Sequence, residues 1–589
     1  MCISISAPKI IRVIFALLLA NLISGVLVSC LAQSRPSTPV PNPALKFSKR
    51  VTANITPEAW LGERLFQETR FAQYFASHSN GDVNRPLAQG DPVVARVLNP
   101  RAGVTYPSPF AGKSMNCRSC HFVDEFSTFI GGTNRTYADF LPRTPIPYRG
   151  DGRTVTTRNA RDMVDNFTIR HTDTLLQGDG EFASPESLAL TGLTGRHFGW
   201  LPQEHSEAVR HVAKVIREDD GQDELGKQYG GSYAKLLLGT APDLPDRFRL
   251  SSNFRLDVTT ATDRQILDEL ARLIGVFLKS LQFEHTPNGV HTGSAYDMFL
   301  AKNGLPALPA QGETDVEYSQ RLLQKLEQLQ NPRFVLPYER WLRFHPHVLE
   351  FGEQELAGLK IFLRQGSISP QKLATPSADR AQAPLSSVSH AGNCFACHPA
   401  PDFTDVRFHN TGAAQEEYDS QHGAGSFARL PVPSYAERSL HPDQYVLATP
   451  SHPHAASVFA SLPTASHPLA TDLGMWNIYA NPDFPEVQGK MSSLLCGARL
   501  CDPNVQLPRT IGLFRTPTLR DLGHSWPYLH TGRMATVEDV LHFYMRMSGL
   551  ARAGELRNGD PELRRISLDE QDIVALTAFL SALDEDYDN

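Results

Sequence analysis

At 589 residues the chain is long enough for two or three domains, and a composition of 41% hydrophobic, 20% charged and 9% aromatic residues is ordinary for a globular protein. A formal net charge of −7 provides no basic field for nucleic acid, which sets that class of partner aside. The 43 prolines and 41 glycines imply many turns and a loop-rich chain.

Lys9 and Arg12 precede the apolar run VIFALLLANLISGVLV, a basic n-region followed by an h-region that is short for a spanning helix. Residues 1–32 therefore read as a signal peptide. Two processing readings stand. LVSC at 27–30 resembles a lipobox, which makes Cys30 a lipidated N-terminus and supplies a lipid anchor; alternatively, a signal peptidase cuts after Ala32. An uncleaved anchor is a third reading. All of them place the body outside the cytoplasm, in the periplasm, either soluble or lipid-anchored. The tract SRPSTPVPNPA makes 33–55 a proline-rich linker.

In the next segment, PEAWLGERLFQETRFAQYF carries Trp60, Leu61, Leu65 and Phe66 at helical spacing, and MNCRSCH follows with Cys117, Cys120 and His121. Residues 203–285 are mostly amphipathic helix, including EHSEAVRHVAKVIRED and TDRQILDELARLIGVFLKSLQFE. Residues 286–345 are mixed, with one charged helix, DVEYSQRLLQKLEQLQ. FGEQELAGLKIFLRQG is again helical, and NCFACH follows with Cys394, Cys397 and His398. Each helix ahead of a motif contains a glycine, Gly62 or Gly358. Residues 413–470 are rich in Ser, Pro, His and Ala and read as long loop. The last helix, DEQDIVALTAFLSAL, starts from an acidic turn that suits the helix dipole. No segment is strand-rich, so the fold class is mainly α.

C-x-x-C-H is the spacing of covalent c-type haem attachment: two thiols form thioethers with the porphyrin, and the adjacent histidine ligates the iron. A zinc site wants paired motifs or nearby histidines, and a redox dithiol does not need the histidine. The full pattern occurs twice behind a secretion signal, which points to two haem c groups. The chain then divides into an N-terminal haem c domain with a helical insertion at 56–285, an insertion or connector at 286–345, and a C-terminal haem c domain at 346–589. Of the other cysteines, Cys2 and Cys30 lie in the signal region, and Cys496 and Cys501 in LLCGARLCDP read as a local disulfide, with two free thiols as the alternative.

The order of motifs resembles the bacterial di-haem cytochrome c peroxidase superfamily, which includes the MauG-type enzymes. The resemblance runs through LGERLFQETRF, CRSCH, TTRNARDMVDN, the Asp-Gly turn GDGEF, ELAGLKIFL, CFACHPAPDFTDVRFHNTG, TDLGMWNIY and GLFRTPTLRDLGHSWPYLHTGRMATVEDVLHFY. The C-terminal half carries the longest signature. The chain departs from the family in extra material within 205–345 and about 421–470, and in Gly178, which stands where a tryptophan is expected before Asp179. Trp200 and Trp526 are candidate replacements for that inter-haem relay, with core packing as the alternative for each.

The resemblance implies a set of roles. His121 is the proximal ligand of the reactive N-terminal haem, and His398 that of the second. The far side of the second iron falls on Tyr544, as in the MauG-type branch, with Met545 or Met547 as the alternative, as in the peroxidase branch. A phenolate is hard and anionic and favours oxidised iron, whereas a thioether raises the potential. The catalytic distal group aligns with His197, with Glu204 and Glu186 as rivals. A calcium ion is implied at Asn159, Ser525 and Pro527, and Arg515, Arg520 and His530 are candidates for contact with haem propionates, with a structural role as the alternative for each. The implied activity is that of a peroxidase-type oxidoreductase: hydrogen peroxide reacts at the N-terminal haem, and a protein or organic substrate is oxidised. Reduction of peroxide by an electron-donor cytochrome, a non-catalytic di-haem electron carrier and an oxygenase are the alternatives.

Overall fold

The computed structural model describes residues 55–99, 104–108, 110–121, 143–161, 163–166, 170–171, 174–342, 345, 347–367 and 390–586. The signal, lipobox and linker readings lie outside these residues. All described residues fall within one unit, Ser48–Asn589.

The sequence repeats one packing device in its two halves. Helix α1, Pro57–Gln67, is started by Thr56, whose hydroxyl accepts from Ala59 N at 3.2 Å, and by Pro57 at its first position. It crosses α4, Asp263–Ser280, which opens with a Thr262–Gln265 capping box and buries Ile266, Leu270, Leu273 and Phe277 at helical spacing. The crossing is closest at Gly62, where an added Cβ would lie 2.2 Å from the Leu273 carbonyl oxygen. In the C-terminal half, α7, Glu353–Leu363, crosses α11, Glu570–Ser581, in the same manner. There Gly358 is the contact point, its notional Cβ only 2.0 Å from the Ala575 carbonyl oxygen. Gly358→Ala should therefore destabilise by about 3 kcal/mol or more, the upper end of overpacking costs, because backbone cannot yield as a side chain can. Gly192→Ala, on α2 (Pro185–Thr194) with nothing within 4 Å of its notional Cβ, should be neutral or mildly stabilising. Thermal unfolding of the two variants checks the contrast.

The remaining long helices are α3, His205–Glu218, α5, Ala295–Lys302, α6, Asp315–Gln328, α8, Ala413–His422, α9, Pro485–Cys496, and α10, Val537–Ala553. Helix α4 lies inside the stretch where extra material was expected, yet it closes the first core. Helices α5 and α6 contribute Tyr296, Phe299, Tyr318 and Leu322 to the second core beside Phe362, Phe403 and Phe579. A third core gathers Tyr418, Phe427, Phe459, Trp476 and Met491. Residues 413–470 are not a simple loop as expected: they contain α8 and the short helix Tyr435–Leu440. Helix α8 escaped the hydrophobic pattern because it buries polar groups. Gln415 Nε2 donates to Glu555 O at 3.0 Å, and Arg143 Nη2 donates to Glu417 Oε1 at 2.8 Å. Strand content among the described residues is two antiparallel pairs, β1 (Arg96–Asn99) with β2 (Val104–Pro107) and β3 (Phe408–His409) with β4 (Phe514–Arg515). The second pair fixes His409 opposite Phe514, and both reach the candidate site.

Below the first motif a buried ion network ties α1 to the segment after α3. Arg70 pairs with Glu68 at 2.6 Å and with Asp219 at 2.9 Å, Arg64 pairs with Asp219 at 3.0 Å, and the Tyr233 hydroxyl donates to Glu68 at 2.8 Å. Burial alone would raise the Glu68 carboxyl, but the Arg70 guanidinium overrides it and holds the group at about 2. A depressed folded value means the stabilisation is complete above the ordinary carboxylate value and is lost as pH falls towards 2. The amount at stake is on the order of 3 kcal/mol. The unfolding midpoint of the wild type should therefore drop between pH 4.5 and 2, a loss that Glu68→Gln should show only weakly. Acid-dependent thermal melts measure the difference.

Candidate functional site

Both C-x-x-C-H motifs fold as a single 3-10 turn that sets the histidine. In the first, Asn116 caps the turn by accepting from Ser119 N at 2.8 Å and anchors it to α1 by donating to Gln67 O at 2.7 Å. His121 N donates to Cys117 O at 3.0 Å. In the second, Asn393 enters the turn with φ 50°, a left-handed conformation that asparagine tolerates, and His398 N donates to Cys394 O at 2.8 Å. The two rings are oriented alike. His121 Nδ1 donates to Arg161 O at 3.0 Å, and His398 Nδ1 donates to Phe403 O at 2.9 Å. Burial lowers both imidazoles, so each is neutral with its Nε2 lone pair available to a metal.

Burial, with the neighbouring cysteine, pushes the Cys117 and Cys394 thiols up to about 12. A cavity of about 250 Å³ adjoins the second motif and is lined by Cys394, Cys397, His398, His409, Phe514 and Tyr544. Arg161, whose carbonyl holds His121, lines it as well, so the surroundings of the two motifs meet there.

Of the candidates for the far side of the second iron, Tyr544 lines this cavity, while Met547 packs beside Gly412, its Sδ 2.6 Å from where a Gly412 Cβ would sit. Met545 packs against the second core. Burial raises the Tyr544 phenol well above its ordinary value, and the adjacent Cys397 and Cys394 add to the effect. His409 also faces the cavity, and the sequence analysis passed it over. Burial opposes its charge, but hydrogen bonds to Asp405 at 2.8 Å and Asp560 at 2.5 Å outweigh this and push it up to about 12. Arg515 is buried against the cavity with its Nε unpartnered, and burial together with the Arg161 charge lowers it to about 10. His530 lines the same wall, stacked on Phe514 at 3.6 Å, with its Nε2 unpartnered. Such orphaned cationic and N–H groups fit the carboxylates of a haem. Arg520 does not serve in this way, since it is bound at 3.0 Å by both oxygens of Asp297.

His197 sits in the turn Arg196–Phe198 and is exposed at the surface. The protein around it and the Arg153, His121 and Arg196 charges lower it to about 4, leaving a neutral base near the first motif. Glu204 is committed elsewhere: Leu201 N donates to it at 2.8 Å and Arg149 pairs with it at 2.6 Å. Glu186 is bound by Lys279 at 2.7 Å. Glu181, in the Asp-Gly turn, is a carboxyl that the sequence reading missed; burial and Asp179 push it up to about 8. Beside Gly178 the aromatic neighbour is Phe514, 3.6 Å from a notional Cβ, while Trp200 donates to Phe71 O at 3.0 Å in the first core and Trp526 packs against that core. The calcium candidates Asn159, Ser525 and Pro527 all line the cavity. The Asn159 side chain donates to Pro527 O. One amide and two carbonyls are oxygen donors of the type calcium takes, but too few without waters. Cys496 and Cys501 form a disulfide with Cα atoms 5.7 Å apart.

Two turns that each set a buried histidine beside a pair of cysteines are the protein side of two covalent haem c attachment sites. Among known proteins, a 76-residue stretch is 38% identical to cytochrome-c peroxidase IdrP1 of Denitromonas iodatirespirans, covering 13% of this chain and 19% of that protein. A 77-residue stretch is 35% identical to cytochrome-c peroxidase IdrP1 of Pseudomonas sp. (strain SCT), with the same coverage. The chain thus matches about a fifth of the length of these curated relatives. No family model matches. Among solved structures, a MauG-like protein associated with microbial copper homeostasis aligns over 94% of this chain and 95% of its own, at 15% identity and a TM-score of 0.39. The diheme peroxidase BthA from Burkholderia thailandensis E264 aligns over 91% and 90%, at 14% identity and the same TM-score of 0.39.

Proposed function

We propose that the chain is a di-haem c oxidoreductase of the peroxidase type, which reacts with hydrogen peroxide at the haem of Cys117, Cys120 and His121 and oxidises a protein or organic substrate. The observation that carries this reading is the tyrosine at the second site: Tyr544 lines the cavity of Cys394, Cys397 and His398, and Met547 packs elsewhere. A hard oxygen donor on the far side of the second haem favours its oxidised state over electron uptake from a donor.

Covalently bound haem supplies the redox-active iron. The chain supplies the rest. His121 and His398 present Nε2 from rings held by backbone carbonyls, and Arg515 and His530 hold carboxylates. His197, neutral at physiological pH, takes a proton from one peroxide oxygen and returns it to the other, the work of a general acid–base. Asn159, Ser525 and Pro527 would hold a calcium ion, which would supply positive charge between segments from the two halves of the chain. The disulfide suits an oxidising compartment, in keeping with a periplasmic location.

The second reading is peroxide reduction with a donor cytochrome, favoured by the segment shared with cytochrome-c peroxidases. The ferric holoprotein should show one high-spin and one low-spin haem by electron paramagnetic resonance, and peroxide should perturb the high-spin signal. His197→Gln should slow that reaction by about 10²–10⁴-fold with both haems retained. Two low-spin irons, inert to peroxide in every redox state, would instead mark an electron carrier.

A further inference from the structure

Beside one wall of the cavity, three histidines and three aspartates from distant parts of the chain meet. His345 Nε2 lies 2.6 Å from Asp521 Oδ1, and His524 Nδ1 lies 3.0 Å from Asp521 Oδ2, so one carboxylate engages both rings. The rings themselves are 4.0 Å apart. The Nε2 of His345 is 3.9 Å from Asp584 Oδ2. His345, Asp521 and His524 are all buried, and their ligand atoms lie within 4.8 Å of one another. Two further residues hold these groups in place. The other nitrogen of His345, Nδ1, bonds Asp586 at 3.2 Å, and His347 Nε2 bonds Asp584 at 2.8 Å.

We propose that this cluster is a structural binding site for a divalent transition metal of the zinc class, with His345 Nε2, His524 Nδ1 and Asp521 as ligands and Asp584 beside them. Three observations favour a metal over a plain ion network. First, among the described residues Asp521 and Asp584 form ion pairs with histidines alone, so neither buried carboxylate has a lysine or arginine to compensate it. Secondly, the ring of His345 is oriented as metal-ligating histidines are: a carboxylate takes one nitrogen and leaves the other pointing at the donor cluster. Thirdly, the donor atoms of His345, Asp521 and His524 lie within 4.8 Å of one another, so small side-chain shifts bring them to the roughly 3.3 Å at which ligands of a tetrahedral metal with bonds of about 2.0–2.1 Å stand apart. Gly523 permits the approach, since a Cβ there would lie 2.6 Å from Asp584 Oδ2 and 2.8 Å from the His345 ring.

The other candidate groupings fit less well. His171, Asp315 and Asp402 already share Arg170 as their cation, and His390, Asp569 and Asp572 include two exposed residues. A metal at His345 would fasten this residue and, through Asp584 and Asp586, the C-terminal residues to the turn 521–524. That turn leads directly into Ser525 and Pro527 on the cavity wall. Its effect on the haem site is one of positioning.

The full-length holoprotein, stripped with a chelator and then titrated with Zn²⁺, tests this. One Zn²⁺ per chain should bind, the unfolding temperature should rise, and X-ray absorption at the zinc edge should show an N/O shell at about 2.0–2.1 Å with two imidazoles and no sulfur. His347→Gln, at the rim of the cluster, should weaken binding about 10–100-fold. The double variant His345→Gln/His524→Gln should abolish it, with the haem spectrum reporting on its folding. No uptake by the wild type, a sulfur-containing shell, or unchanged affinity in the rim variant would each overturn the site, whether or not the double variant folds.

Discussion

Replacing Cys117 and Cys120 together by alanine should leave one haem per chain instead of two and abolish the reaction with peroxide. Replacing Cys394 and Cys397 should also leave one haem, but of the opposite kind: the peroxide-reactive site remains and the low-spin signal of the second disappears. The expectation rests on geometry that the two motifs share. Each is one 3-10 turn whose histidine donates Nδ1 to a backbone carbonyl, so neither is a degenerate copy of the other. It rests equally on the different surroundings. Near His121 stands a neutral His197, whereas the second motif faces a tyrosine across its cavity. Loss of covalent haem from either half should also cost stability, because Cys117 and Cys120 pack against the first hydrophobic core and Cys394 against the second. Haem mass on a denaturing gel, the pyridine haemochrome spectrum and rapid mixing with peroxide separate the outcomes. Equal peroxide reactivity in the two variants would remove the assignment of reactive and supporting sites.

Much of the scaffold was legible because its signals are local. The helices at both ends of each half show apolar spacing and caps within a few residues, and C-x-x-C-H is complete in five. Gly62 and Gly358 were visible as glycines inside helices, but what they meet, Leu273 and Ala575, lies some two hundred residues along the chain. The same distance hides which polar groups are already committed. In sequence Glu204 stands as a rival to His197 for the distal position; Arg149 and the Leu201 amide, which hold its carboxylate, are brought to it only by the fold. Arg515 and Arg520 share one motif, yet Asp297, from another helix, claims only Arg520. Helix α8 buries Gln415 and Glu417, so its hydrophobic pattern is broken by hydrogen bonds that only the fold supplies. The histidine–aspartate cluster has no signature at all, since its members come from 345–347, 521–524 and 584–586.

Tyr544→Phe should change the optical and electron paramagnetic resonance spectra of the second haem while the haem content stays at two. The phenol is the one candidate oxygen or sulfur donor on α10 that reaches the cavity: Phe543 is buried in the small cluster with Ala413 and Met547, and Met547 lies against Gly412. Removing the hydroxyl leaves the ring volume, so packing changes little and the spectral change reports ligation. Tyr544→Met puts a soft neutral donor where a hard one stood and should raise the potential of that haem, since axial ligands set haem potentials over about 0.8 V. Turnover with a donor cytochrome should then improve and oxidation of other substrates should fall. Met547→Ala is the control. It should cost about 2–5 kcal/mol as a buried truncation and leave the spectrum unchanged. If the roles are reversed, so that Met547→Ala moves the spectrum and Tyr544→Phe does not, the helix must turn to bring sulfur to the iron. The chain would then work as a peroxide reductase fed by a cytochrome, because a thioether-bound haem is suited to collecting electrons.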